Sequence, residues 1–222
     1  MNAAELAGLL AVGTAAGLDL ASGPQVLLAR PLVAGTLAGL CLGDPAVGLL
    51  VGSALELFAL EVLPVGASRY PDHGPGAVGA VIAVSLAGID ELWRGVALGL
   101  VLALVGSWSL RRLRRANARS VAGASAALHA LVPGIIGRLH WQAFRRDALR
   151  STGLAVLALL AGWCAGRAPA LPGGWSPWLN ATAMGAGAAA ALNGALRNAG
   201  RGPRVAALGT GLLAGALWLV LA

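Results

Sequence analysis

Apolar residues fill this chain in long runs, and its polar residues gather in short clusters between them. A membrane-crossing helix needs about 20 apolar residues, sometimes as few as about 17. On that scale the runs predict helical segments at 5–20, 24–43, 45–63, 75–89, 92–110, 151–166, 178–196 and 204–222. Several are short for a full crossing, so their boundaries are soft and re-entrant segments are among the expected forms. The fold class that follows is all-α: a polytopic membrane protein of about eight transmembrane or re-entrant segments, read as one integral membrane domain over 1–222.

One stretch breaks this pattern. Residues 52–76, GSALELFALEVLPVGASRYPDHGPG, carry Glu56, Glu61, Arg69, Asp72 and His73 together with Pro64, Pro71 and Pro75. An apolar helix enters it, and the density of Pro and Gly predicts that the helix cannot continue. Broken segments at membrane depth expose backbone polar groups and helix ends to a hydrophilic substrate. The alternative is an ordinary loop with an Arg69–Asp72 pair.

Composition fixes the solvent. The chain is 58% hydrophobic and 11% charged, where soluble domains carry about 25% charged residues. Too little polar surface remains to cover a globule in water. All sixteen basic residues are Arg, giving a formal charge of +7, which in such a chain reports topology before it reports nucleic acid. Arg30, Arg69, the Arg111–Arg119 cluster, the Arg138–Arg150 cluster and the Arg197–Arg204 cluster fall at alternate connections. The other connections hold Asp44, or Asp90 with Glu91; Arg94 and Arg167 are exceptions. Eight crossings would then place both termini outside and the basic connections in the cytoplasm. Residues 111–150 read as a helical block lying at the inner interface, with Trp141 and Phe144 as anchors, facing anionic headgroups or a cytoplasmic partner.

Smaller features add detail. Gly35, Gly39 and Gly43, Gly48 and Gly52, and Gly211 and Gly215 repeat at four-residue spacing, which favours close helix contact. Cys41 and Cys164 read as small buried hydrophobes. The first segment carries Glu5 and Asp19 and has no basic leader, so it reads as mature chain.

An ionisable group at membrane depth costs roughly 3 kcal/mol on insertion scales, so it persists where it meets a partner, water or a substrate. Glu56, inside GSALELFAL, is therefore a substrate or coupling candidate, or one half of a buried pair. Glu61 lies near the end of the same run and could reach the interface. Gln25 has an amide that can both donate to and accept from hydroxyls. No motif for a catalytic nucleophile, a metal, a nucleotide or another cofactor is legible: the serine near Gly123 is not in a GxSxG elbow, and His129 and His140 lack HExxH spacing.

The residues Arg30-Pro31, Gly35, Gly39-Leu40, Gly43-Asp44, Gly48, Gly52, Leu55-Glu56-Leu57, Gly66-Ala67 and Pro71-Asp72 occur in the order of a known pattern. They resemble the membrane subunit IIC of the mannose/fructose/sorbose-type bacterial phosphotransferase system, with weaker likeness in GIIGRLHWQAFRRDALR at 134–150. The resemblance implies group translocation in the inner membrane. IIC works with a membrane partner, IID, to carry a hexose-type sugar. Cytoplasmic IIB, phosphorylated by IIA, then phosphorylates it. IIC is not itself the phosphoryl carrier, and an oligomer is expected. By motif, Glu56 and Asp72 become the substrate-binding candidates with Gln25 behind them; Glu61, Arg69 and His73 are lesser candidates. His73-Gly74-Pro75 and the loop 168–177 depart from the family pattern. Two alternatives are a sensory or assembly relative that keeps the fold without transporting, and a stand-alone secondary transporter using Glu56 or Asp72 as its proton-coupled group.

Overall fold

Asn2 starts the first helix. Its side-chain oxygen accepts from the Glu5 amide at 2.9 Å while the Glu5 carboxylate accepts from the Asn2 amide. This reciprocal cap satisfies two amides that a helix start leaves unpaired. The computed structural model describes residues 1–60, 70–172, 174–196, 200, 202–203 and 205–206. Glu61, Arg69, the Gly66-Ala67 pair and most of the run 204–222, with Gly211 and Gly215, lie outside the described residues.

Eight α-helices follow in order among the described residues: α1 (Ala3–Asp19), α2 (Pro31–Cys41), α3 (Pro45–Ala59), α4 (His73–Ala87), α5 (Leu92–Gly123), α6 (Ser125–His129), α7 (Ile135–Arg167) and α8 (Ser176–Ala195), with a single 3-10 turn at Ile89–Glu91. Helix α4 is the axis of the bundle. Every residue from His73 to Val84 is buried, and α1, α2, α3, α5 and α7 pack around it. Its sequence, HGPGAVGAVIAVSLA, is small and apolar on all sides, the composition of a helix surrounded by others.

Two of the sequence-predicted segments change. The run 24–43 is not one helix: residues 24–30 are irregular and α2 begins only at Pro31. Pro31 disfavours helical geometry at the residue before it, and the amides of Val26 and Ala29 are taken by the Asp19 carboxylate. At 11 residues and about 1.5 Å per residue, α2 is far too short to cross a bilayer. It folds back on α3 through Gly43-Asp44-Pro45. Gly43 has φ +74, a conformation that glycine adopts without strain. Asp44 caps α3 by accepting from the Val47 amide. The two helices touch backbone to backbone. A Cβ on Gly48 would lie 2.5 Å from the Gly35 carbonyl oxygen, and one on Gly39 2.7 Å from the Gly48 Cα. Gly35 and Gly39 of the first row therefore pack against Gly48 and Gly52 of the second within the chain.

The second change concerns 111–150. It is not one helical block. Its first part continues α5 without interruption and its last part begins α7. Leu, Ala and Arg all favour helix, and no proline falls inside 92–123, so nothing ends α5 at the first Arg. Helix α5 ends at Gly123, the short α6 follows, and Gly134 at φ +76 leads into α7. The helices α5 and α7 run antiparallel, and Arg146 stitches them by donating to the Ala116 carbonyl, Asn117 Oδ1 and Ser120 Oγ. Among the described residues, the segments Ile89–Gly123 and Ile135–Arg167 are the two long and apolar enough to cross a membrane.

Among the described residues the charge pattern maps onto the two ends of this bundle; Arg69, Arg197, Arg201 and Arg204 lie outside them. Arg30, the Arg111–Arg119 cluster and the Arg138–Arg150 cluster share one end. Asp90 and Glu91 meet the C-terminus of α7 and the start of α8 at the other. The two exceptions are accounted for locally. Arg94 pairs with Glu91 at 3.0 Å and donates to the carbonyls of Ala165, Ala168 and Pro169. Arg167 lies over the Trp163 ring. Cys41 is half-buried as expected of a small hydrophobe, but Cys164 is exposed on α7, because its helix face looks away from the bundle.

Candidate functional site

The Arg-rich end holds a cavity of about 550 Å³. The segment from Asp19 to Pro31 forms much of its wall, with Tyr70, Pro71 and His73 at the start of α4 and Leu110, Leu113, Arg114 and Asn117 on α5. Its polar groups are Ser22, Gln25, Arg30, His73, Arg114 and Asn117, besides Asp19 and Tyr70. Together they offer both donors and acceptors against an apolar floor, the mix that fixes a small polar ligand's orientation.

Three of the sequence candidates, Gln25, His73 and Arg30's partner Glu56, meet here in different ways. Gln25 and His73 line the cavity. Glu56, one turn before the end of α3, forms an ion pair with Arg30 and accepts from the Leu32 amide at 3.1 Å. It thereby fixes Arg30, which does line the cavity. Glu61 and Arg69 lie outside the described residues.

Asp72 sits behind the wall. Its side chain is fully buried, and Oδ2 accepts from Arg150 Nη1 at 2.8 Å. Arg150 also donates to Asp147 Oδ1, Ser109 Oγ and the Gly17 carbonyl, so one guanidinium ties α1, α4, α5 and α7. The fit is close: a Cβ on Gly106 would lie 2.6 Å from the Asp72 Cβ. Asp72 Oδ1 and Asp147 Oδ2 are buried with no hydrogen-bond partner among the described residues. Two carboxylates against one guanidinium, out of water, hold only because the hydrogen bonds around Arg150 are nearly complete.

Sequence reasoning missed Asp19, Tyr70, Arg114 and Asn117 as wall residues. Tyr70 is buried, its hydroxyl accepts from Arg114 Nη2 at 2.5 Å, and the guanidinium lies over its ring. Arg114 and Asn117 are hidden in a charge cluster that topology explains by itself. Asp19 carried a signal, an acid closing an apolar helix, which a reading of the first segment as plain mature chain passes over.

This architecture is that of a helical membrane protein: a buried central helix, a short folded-back hairpin beside it and a polar cavity at one end. The particular family follows from direct comparison. The chain matches the family described as the sorbose-specific IIC component of the phosphotransferase system over residues 4–165, and it belongs to that family. It is 38% identical over 77 residues to the sorbose-specific EIIC component of Lacticaseibacillus casei, covering 35% of this chain and 27% of that one. It is 39% identical over 77 residues to the mannose-specific EIIC component of Escherichia coli (strain K12), covering 35% and 29%. To the fructose permease IIC component of Bacillus subtilis (strain 168) it is 44% identical over 79 residues, covering 35% and 28%. The matched part thus spans less than a third of each of these relatives. In three dimensions the whole chain overlays on a cryo-EM structure of the mannose transporter ManYZ in complex with microcin E492, with TM-score 0.63, 24% identity and 94% of that chain covered. A second solved membrane protein gives TM-score 0.71 at 24% identity, covering 97% of this chain and 87% of the other. The fold is shared with both.

Proposed function

We propose that this chain is the sugar-carrying IIC subunit of a bacterial phosphotransferase system. In this reading it lies in the inner membrane as a multi-pass protein with its Arg-rich end in the cytoplasm. With a IID partner it brings a hexose-type sugar to that side, where IIB, charged by IIA, phosphorylates it. The chain supplies no phosphoryl-carrying residue of its own.

The observation that carries this reading is the cavity at the Arg-rich end of a chain of this family. Its size falls within the range of about 300–1,000 Å³ usual for small-molecule sites. Its walls pair amide, hydroxyl and guanidinium groups suited to sugar hydroxyls. We assign Gln25, Arg30 and His73 to direct contact. Glu56 acts on the cavity through Arg30. Asp72, between the wall residues Pro71 and His73, holds the start of α4 against Arg150.

The test is phosphoenolpyruvate-dependent sugar phosphorylation in membranes containing this chain with IIA, IIB and IID subunits of its family. Accumulation of sugar phosphate that requires this chain supports the reading. Facilitated uptake of free sugar that needs no partner supports a stand-alone transporter. Neither activity, in correctly inserted protein, supports a non-transporting assembly subunit.

A further inference from the structure

The cavity wall from Ala21 to Arg30 has no regular secondary structure, yet its backbone is specified. Gln25 has φ 57 and Leu27 has φ 71. Neither is glycine, and left-handed backbone at such residues costs on the order of 1–3 kcal/mol each unless the surroundings impose it. The residue between them, Val26, donates its amide to Asp19 Oδ1 at 2.7 Å. Ala29 donates to Asp19 Oδ2 at 3.2 Å. Asp19 is the last residue of α1 and is 4% exposed. Its carboxylate therefore receives two amides of the loop, and no other side chain bonds to the loop backbone among the described hydrogen bonds between Ser22 and Ala29. At the loop's far end, Arg30 is held by Glu56. The wall is thus suspended between two carboxylates, one on α1 and one on α3, and Gln25 is presented to the cavity from the left-handed turn that Asp19 closes.

We propose that Asp19 is the positioning residue that shapes this site: by binding the Val26 and Ala29 amides it fixes the left-handed turn that points Gln25 at the sugar, and so sets affinity without touching the ligand. This rests on the reading of the cavity as a sugar site. A carboxylate is required, since both of its oxygens accept. An asparagine would turn one of them into an NH₂ group facing a backbone N–H, two donors against each other.

Three measurements test it on the chain assembled with its partners. First, amide hydrogen exchange over residues 20–30: Asp19→Asn should speed exchange of this segment at least about tenfold, the loss of about 1.4 kcal/mol of local protection, while α4 and α7 exchange unchanged. Exchange unaltered in the loop overturns the proposal. Second, sugar-phosphorylation kinetics: Asp19→Asn should raise the apparent KM at least about tenfold with Vmax kept within about twofold, the pattern of lost uniform binding. An unchanged KM in folded Asp19→Asn overturns it. Third, the double variant: Asp19→Asn with Gln25→Ala should be no worse in KM than Asp19→Asn alone, because both remove the same contact. Additive losses overturn it. If the wild-type chain phosphorylates and binds no sugar while Asp19→Asn still loosens the loop, the cavity reading fails and the structural half of the proposal stands alone, so the two failures are distinguishable.

Discussion

Asp72 and Arg150 stand 78 positions apart in sequence and meet at 2.8 Å, with the Asp72 side chain fully buried. Their pairing makes the start of the central helix α4 and the middle of the long helix α7 one unit. Removing the cation alone leaves Asp72 and Asp147 as buried carboxylates without a counter-charge. Breaking a buried pair in this way costs about 3–5 kcal/mol. Arg150→Met should therefore lower the thermal midpoint of the detergent-solubilised chain steeply or abolish its insertion. Adding Asp72→Asn and Asp147→Asn to Arg150→Met should recover most of the loss. Melting of the three-site variant as low as Arg150→Met would contradict the role given to the triad.

Glu56 predicts the opposite balance of stability and function. Its pair with Arg30 is partly exposed, with side-chain exposures of 16% and 32%, and exposed pairs contribute only about 0–1 kcal/mol. Glu56→Gln should leave the melting temperature within a few degrees of wild type. It should reduce sugar phosphorylation at least about tenfold, a barrier change of about 1.4 kcal/mol, because Arg30 is released from the cavity wall. Full activity in the folded variant would remove Glu56 from the site.

The contact of α2 with α3 permits no side chain at its centre. A methyl on Gly48 would press on the Gly35 carbonyl oxygen. Forcing extra carbon into a packed contact costs typically about 1–3 kcal/mol. Gly48→Ala should lower the thermal midpoint. Gly153→Ala, where a Cβ meets nothing within 4 Å, is the matched control and should leave it unchanged or slightly raised. Equal effects at the two positions would contradict the backbone-to-backbone packing.

Arg94 gives a fourth test, at the end of the bundle away from the cavity. It bridges Glu91 of the 3-10 turn to three carbonyls at the C-terminal end of α7. Arg94→Met should raise hydrogen exchange selectively over residues 163–172 and in the first turn of α8, whose Ser176 bonds Glu91 at 2.7 Å. Exchange rising equally at the cavity end would contradict a local latch.

What could be read in advance follows from which forces leave a periodic mark. The apolar runs gave α1, α3, α4 and α8 to within a few residues, because burial in lipid needs nothing more than apolar length. The glycine rows predicted close helix contact without naming its partners, and α2 and α3 supply one such contact. The unbroken α5 escaped a reading in which Arg ends a span: charge limits where a helix can sit in the membrane, and says nothing of where the helix stops. The start of α2 at Pro31, in place of a helix from 24, depended on the Asp19 carboxylate taking two amides seven and ten residues on. No local pattern encodes that. In the site, Gln25 and His73 were legible as polar residues at a helix boundary, and Glu56 as an acid in an apolar run. That Asp72 would find Arg150, and that Tyr70 would find Arg114 across 44 positions, required the packing of α4 against α5 and α7.

The most direct test of the central claim is the rate at which labelled hexose supplied outside vesicles appears inside as sugar phosphate, with the chain and its IID partner in the membrane and IIA, IIB and phosphoenolpyruvate inside. The account predicts accumulation of sugar phosphate that falls at least about tenfold, about 1.4 kcal/mol in the barrier, when Gln25→Ala or Glu56→Gln replaces the wild-type chain. Accumulation unchanged by either substitution, in folded and inserted protein, would contradict the assignment of the cavity as the sugar site.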